Sequence, residues 1–241
     1  MSSPTLLVTG AAGQLGRRVI AHLLQTHRVP AGQIIATTRK PEALADLAAQ
    51  GVQVRSADFD NPASLTAAFA GAQRLLLIST DALDRPGRRL EQHRAAVAAA
   101  VQAGVRHVVY TSMPRPEPGS PIPFAPDHYG TEQALAESPL SWTVLRHSWY
   151  MENLFLNLPQ ALASGQWFSA AGQGRVTHVS REDCARTDAA ALASASTTNA
   201  THLITGPEAH STSEIARLAA EVLGKPLAVV QVPPEALAKG M

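Results

Sequence analysis

The chain has 241 residues, of which 45% are hydrophobic and 16% charged, and its formal net charge is +1. That length can bury a sizeable core as one large domain or as one domain with a small lobe, and near-neutral charge with scattered basic residues gives no handle for nucleic acid. One cysteine, Cys184, read as a small buried residue on a helix, excludes an internal disulfide and a cysteine-based metal cluster. With no secretory leader and no apolar run of membrane-spanning length, a cytoplasmic protein with no membrane partner and no metal is expected.

The first predicted element is the apolar run Leu6, Leu7 and Val8, which fits a strand buried on both faces. It leads into Gly10-Ala-Ala-Gly13-Gln-Leu-Gly16, a tight turn and the start of a helix. Gly10 can adopt backbone angles closed to other residues, Gly13 lets the backbone approach a ligand, and Gly16 lets the helix pack close to the strand. The free N–H groups of the first helical turn, with the helix dipole, then make a pyrophosphate site. Gly10, Ala12, Gly13, Gln14, Leu15 and Gly16 are its candidate residues. The spacing differs from the commoner G-x-G-x-x-G, so a plain strand-to-helix turn stays open when the motif is taken alone.

A helix from Leu15 to Gln25 follows, with Leu15, Val19, Ile20, Leu23 and Leu24 on one face, and then a strand from Gln33 to Thr38. The tip of that second strand reads Thr37-Thr38-Arg39-Lys40. In dinucleotide folds an acid here holds a ribose 2′-hydroxyl, whereas arginine favours a 2′-phosphate. Arg39 therefore points to NADPH over NADH, the alternative being solvated charges before a helix that starts at Pro41. That helix runs to Gln50 and a short strand spans Val52 to Arg55. Asp58 then stands where it can accept a hydrogen bond from the adenine amino group, or serves only to start a turn with Asp60 capping a helix from Pro62 to Phe69.

The fourth strand, Arg74 to Thr80, brings Ser79 to its carboxyl end, where ligands of such sheets bind. A helix from Arg88 to Ala103 carries His93, read as a packing or surface histidine, and the fifth strand, His107 to Thr111, delivers Ser112. From Met113 to Pro126 six of fourteen residues are proline, which requires a long loop, expected as a wall of a substrate pocket. A helix opening at Asp127 and a strand from Trp142 to Arg146 lead to His147-Ser-Trp149-Tyr-Met-Glu-Asn153. Strands and helices alternating with short connections imply a doubly wound parallel α/β sheet of Rossmann type over residues 1–153. Residues 154–241 read as a small C-terminal α/β substrate lobe with strands at Trp167–Ala170, Val176–Val179, Thr201–Thr205 and Leu227–Val232, expected to pack over the cofactor edge and leave a cleft.

The cradle Gly10 to Gly16, the Thr38-Arg39-Lys40 turn, Ile78-Ser79-Thr80, Tyr110-Thr111-Ser112 and Val144 to Asn153 together resemble the NmrA-like group of atypical short-chain dehydrogenases. Within it the sequence is most similar to NADPH-dependent quinone oxidoreductases of type 2 and triphenylmethane reductases, over about Thr5 to Val232. The resemblance implies a Rossmann-type domain with a small substrate lobe, NADP(H) as cofactor, and either a reductase or a redox-sensing regulator without catalysis. Family members continue some tens of residues past Met241, so part of the lobe is expected to be missing or differently built.

Ordinary short-chain dehydrogenases carry Y-x-x-x-K, and the matching place here is Tyr129-Gly-Thr-Glu-Gln133. Tyrosine titrates near 10, and a neutral glutamine supplies no cation to activate it. Alcohol oxidation is thereby disfavoured, and so is epimerase or dehydratase chemistry on a nucleotide sugar. A planar conjugated acceptor such as a quinone asks less, since it takes hydride into a delocalised system. Tyr129, His128 and Trp149 are the pocket candidates, and a homodimer is the default assembly for such folds.

Overall fold

The computed structural model describes residues 4–240, so Met241 at the end of the expected lobe lies outside the described residues. The described residues form two compact units, one made of residues up to 147 and 182–204, the other of 148–181 and those from 205 on.

The first unit is built on seven strands: β1 (Leu6–Val8), β2 (Ile34–Thr38), β3 (Gln53–Ser56), β4 (Arg74–Leu77), β5 (His107–Ser112), β6 (Ser141–His147) and, late in the chain, Ala200–Ile204. Every neighbouring pair is parallel, in the order β3-β2-β1-β4-β5-β6 with Ala200–Ile204 at the edge. This is the doubly wound α/β sheet, with its order reversing at β1. The apolar runs are buried on both faces, as a parallel sheet covered by helices requires. On one face Leu7, Ile35, Leu75, Leu77, Tyr110 and Val144 pack with residues of α3 (Pro62–Phe69), α4 (Arg88–Gln102) and α5 (Ala125–Ala136). The alternate residues Leu6, Val8, Ile34 and Leu76 point the other way and are equally buried. α1 (Gln14–Gln25) buries Leu15, Val19, Ile20 and Leu23.

Two details depart from the sequence reading. The fourth strand ends at Leu77 rather than Thr80, because the next three N–H groups are taken by side chains: Ile78 donates to Thr9 Oγ1 (2.9 Å), Ser79 to Thr111 Oγ1 (2.9 Å) and Thr80 to His93 Nε2 (3.1 Å). The segment expected as one helix from Pro41 is a 3-10 turn, Pro41–Leu44, followed by a short α2 (Ala45–Ala49).

A larger departure concerns where the sheet stops. The strand read as Thr201–Thr205 of the lobe is the seventh strand of the main sheet, pairing with β6 from Thr143↔Ala200 to His147↔Ile204. It is half-exposed and lacks the continuous apolar run that marks a central strand. The helix before it, Arg181–Ala193, buries Cys184, Ala185, Ala189 and Leu192.

The second unit contains α6 (Leu158–Ser164), β7 (Gln166–Ser169) and β8 (Arg175–Val176). The helix Arg181–Ala193 and the strand Ala200–Ile204, numbered α7 and β9, belong to the first unit from residue 182 on, and the second unit resumes with β10 (His210–Ser211), α8 (Thr212–Leu223), β11 (Ala228–Gln231) and α9 (Pro234–Gly240). β11 runs parallel to β7 and β10 antiparallel to β8. Ser211 caps α8 in a capping box with Glu214, whose carboxyl is drawn down to about 2 by the Ser211 N–H and by Arg175. Among the described residues no helix is long and apolar enough to cross a membrane.

Candidate functional site

The turn between β1 and α1 has the backbone a phosphate cradle needs. Gly10 sits at φ +58°, in the left-handed region that favours glycine, and Ala11 N–H is anchored on Thr37 O at 3.0 Å. Gly13 is the N-cap of α1 and supplies no side chain to it, and no acid occupies the first turn. The opening N–H groups of the helix therefore keep their donor capacity and the positive dipole end is not neutralised. A Cβ on Gly13 would lie 3.2 Å from Gly10 O, and one on Gly16 would lie 2.5 Å from Gly10 O and 2.8 Å from Ala11 Cα. At Gly13 and Gly16 the turn is thus closed in by backbone, which fits the pyrophosphate of a dinucleotide.

Arg39 and Asp58 lie beyond the tips of adjacent strands, joined where Thr38 pairs with Ser56 and Ala57 N–H donates to Thr38 O. Arg39 is exposed and its side chain has no hydrogen-bond or ion-pair partner among the described residues. Asp58 is half-buried, and its Oδ1 accepts the Asp60 N–H at 3.0 Å, so a turn is present and one carboxylate oxygen is already in use. Asp60 does not cap α3, whose N-cap is Asn61. Its carboxylate is drawn across to α4 instead, to Arg88 and Gln92. Ser79, half-buried, is held at the mouth of the sheet through its N–H on Thr111 Oγ1.

Around α4 and α5 lies a buried polar network that the sequence did not announce. Arg89 Nη1 donates to His128 Nε2 (3.3 Å), so His128 carries its proton on Nδ1 and donates to Tyr110 Oη (2.8 Å). By the same logic the Thr80 N–H on His93 Nε2 leaves His93 Nδ1–H to donate to Thr131 Oγ1 (3.0 Å), whose hydroxyl donates to Asp127 O (2.7 Å). Burial and the Arg89 cation push His128 down to about 3, and His93 falls well below the ordinary histidine value for the same reasons, burial first. His128 is therefore a neutral buried residue with both ring nitrogens engaged. His93 is a packing histidine and not a surface one.

Tyr129, on the same helix, is half-buried, and Gln133 one turn later is exposed. Trp149 is half-exposed and belongs to the second unit. Ser112 donates its hydroxyl to Glu132 Oε1 at 2.6 Å, and Arg146 grips Glu132 through Nε (3.0 Å) and Nη2 (2.6 Å). Arg146 Nη1 also reaches Glu117 at 2.7 Å, tying the proline-rich loop to β6. The sequence signal for this cluster was slight: an arginine near the end of a strand and a glutamate on the facing helix.

A parallel sheet with a glycine turn and an uncapped, acid-free helix start after its first strand defines a Rossmann-type α/β protein of the dinucleotide-binding class. The chain belongs to the NmrA-like family, whose profile matches residues 2–241. It is 39% identical over 220 residues to quinone oxidoreductase 2 of Escherichia coli, covering 91% of this chain and 75% of that protein. It is 27% identical over 227 residues to an NAD(P)H azoreductase of Xenophilus azovorans, covering 94% and 77%. The fold superposes on the crystal structure of Citrobacter triphenylmethane reductase complexed with NADP(H), with a TM-score of 0.90, 38% identity, and coverage of 98% of this chain and 82% of that one. These matches place the chain among oxidoreductases.

Proposed function

We propose that this protein is an NADPH-dependent reductase that passes hydride to a quinone or a similar planar conjugated acceptor. The observation that carries the reading is an uncapped, acid-free helix N-terminus beside a second strand whose tip offers an unpaired arginine and no carboxylate. The relatives named above, with their NADP(H) and NAD(P)H chemistry, support it. The residues that would hold the cofactor are Gly10, Ala12, Gly13, Gln14, Leu15 and Gly16 at the pyrophosphate and Arg39 at the 2′-phosphate. Asp58 would use its remaining carboxylate oxygen at adenine, and Ser79 would bind the nicotinamide ribose. The reduced nicotinamide, when bound, supplies the hydride.

The chain's own part is to bind, orient and hold the reactants, which is worth several kcal/mol, about 7–11 at best. Gln133 stands four residues after Tyr129, where short-chain dehydrogenases carry lysine, so no tyrosine–lysine pair is invoked. His128 is neutral and internally bonded, and the Ser112 hydroxyl is committed to Glu132. None of these is a ready acid, and the acceptor chosen needs none: a quinone gains two electrons and one proton as hydride and takes its second proton from water.

The test is loss of reduced-nicotinamide absorbance with a panel of quinones, azo dyes and triphenylmethane dyes, NADH serving as the paired cofactor. Acceptor-dependent NADPH oxidation, much faster than with NADH, is expected. Arg39→Glu should raise the Kd for NADPH at least about tenfold, or ~1.4 kcal/mol, and that for NADH little; equal losses for both would remove Arg39 as the phosphate reader. Tight binding without turnover on any acceptor would favour a redox sensor over a reductase.

A further inference from the structure

An arginine that reads a phosphate must not already be paired with a carboxylate, and Asp60 is a carboxylate on which the Arg39 charge acts. It follows β3, whose carboxyl end adjoins that of β2, and the Arg39 charge is among the influences that keep its carboxyl low. Yet no hydrogen bond or ion pair joins the two among the described residues. Asp60 is occupied from the other side: Oδ2 accepts Arg88 Nη2 at 2.6 Å, and Oδ1 accepts Gln92 Nε2 at 2.8 Å and Arg88 Nε at 3.3 Å. The third Arg88 nitrogen, Nη1, bonds both oxygens of Asp84 at 2.8 Å. Arg88 and Gln92 together thus occupy both oxygens of Asp60, and the guanidinium, shared with Asp84, offsets part of its charge beside the place where phosphate charge is expected.

We propose that Arg88 is a positioning residue for 2′-phosphate recognition: by occupying Asp60 it keeps Arg39 unpaired and shields the phosphate from the Asp60 charge. This rests on the reading of Arg39 given above. Without Arg88, Asp60 competes for Arg39 and repels the phosphate, a penalty that an NADH 2′-hydroxyl does not feel. Both side chains are partly exposed, with 32% of Arg88 and 42% of Asp60 accessible, so the effect is moderate and screened by salt.

The experiment measures Kd for NADPH and NADH by nicotinamide fluorescence, and for adenosine 2′,5′-bisphosphate and adenosine 5′-phosphate by calorimetry, in the parent, Arg88→Met, Asp60→Asn and the double variant. Arg88→Met should weaken NADPH and the bisphosphate about fivefold at low salt, as expected for one partly exposed charge, with NADH and the monophosphate changing less than about twofold. Asp60→Asn alone should leave NADPH binding intact, and adding it to Arg88→Met should restore what that variant lost. Equal weakening of both cofactors would show that Arg88 merely holds its loop, and failure of the double variant to recover would show that Arg88 touches the phosphate itself; either overturns the proposal. A parent that does not distinguish NADPH from NADH overturns the Arg39 reading and this proposal with it. A parent that prefers NADPH, with Arg88→Met unchanged, overturns the role of Arg88 alone.

Discussion

Gly16 shows how much one hydrogen can decide. Its missing Cβ would stand 2.5 Å from Gly10 O and 2.8 Å from Ala11 Cα, both backbone atoms that cannot swing aside. Gly16→Ala should force α1 away from β1, destabilising the protein by about 1–3 kcal/mol as overpacking does, and distorting the cradle. Denaturant unfolding together with NADPH binding checks this: loss of both is expected, and an unchanged midpoint would mean that the helix shifts at little cost. Gly130 is a useful contrast, since an added Cβ there would meet only the Leu90 side chain, at 2.7 Å, whose rotamers can give way. The role of Gly16 was legible in the sequence because strand-to-helix glycines carry a spacing. The tight place at Gly206, where a Cβ would fall on His178 O, carried no such sign.

Single elements are secured by long-range contacts that local pattern does not contain. Arg74 at the head of β4 is buried, and its guanidinium donates to Leu192 O (2.8 Å), Ala191 O (3.1 Å) and Ser196 O (2.8 Å). A cation thereby caps the carboxyl end of α7, satisfying carbonyls that the helix leaves open. Arg74→Met keeps the stem and removes these bonds. It should cost about 1.5–3 kcal/mol, the range for hydrogen bonds from a charged group, and hydrogen exchange should quicken in the last turn of α7 and in β9 before it does in β1. A variant with parent-like exchange there would show that packing of Ala185, Ala189 and Leu192 suffices. In the sequence Arg74 is only a charged residue opening an apolar run, for its partners lie 117 to 122 positions away.

For the molecule as a whole, acid stability follows from histidines folded in their neutral form. Burial pushes His128 down to about 3 and His107 to about 4, from a value near 6.5 when unfolded. Each folded-state value is depressed, so the unfolded chain binds more protons between these limits. The stability they contribute is present above about pH 6.5 and is lost as pH falls towards 3–4. Urea midpoints measured from pH 7 to pH 4 should decline steadily, and His107→Gln, which removes one group bonded to Ser141 and Thr143, should flatten the decline. A midpoint independent of pH across that range would contradict neutral burial.

The sequence by itself determined the parallel sheet up to its sixth strand, the cradle after the first, the loop of prolines and the tip at Arg39. These depend on local rules: apolar runs set by burial, glycine at positive φ, proline without an N–H, and a charge placed by its strand. Tertiary structure alone decided which charges stay free. Asp60 could serve as a cap or as a partner until α4 arrived with Arg88 and Gln92, and His128 could line a pocket until Arg89 and Tyr110 engaged both its nitrogens. The seventh strand was legible as a strand but was assigned to the lobe, for a related reason: an edge strand exposed on most positions has no apolar run to mark it as part of the main sheet, and only its ladder with β6 places it there. Pairing between distant residues has no signature in either partner's neighbourhood, because its free energy exists only once the chain has brought them together.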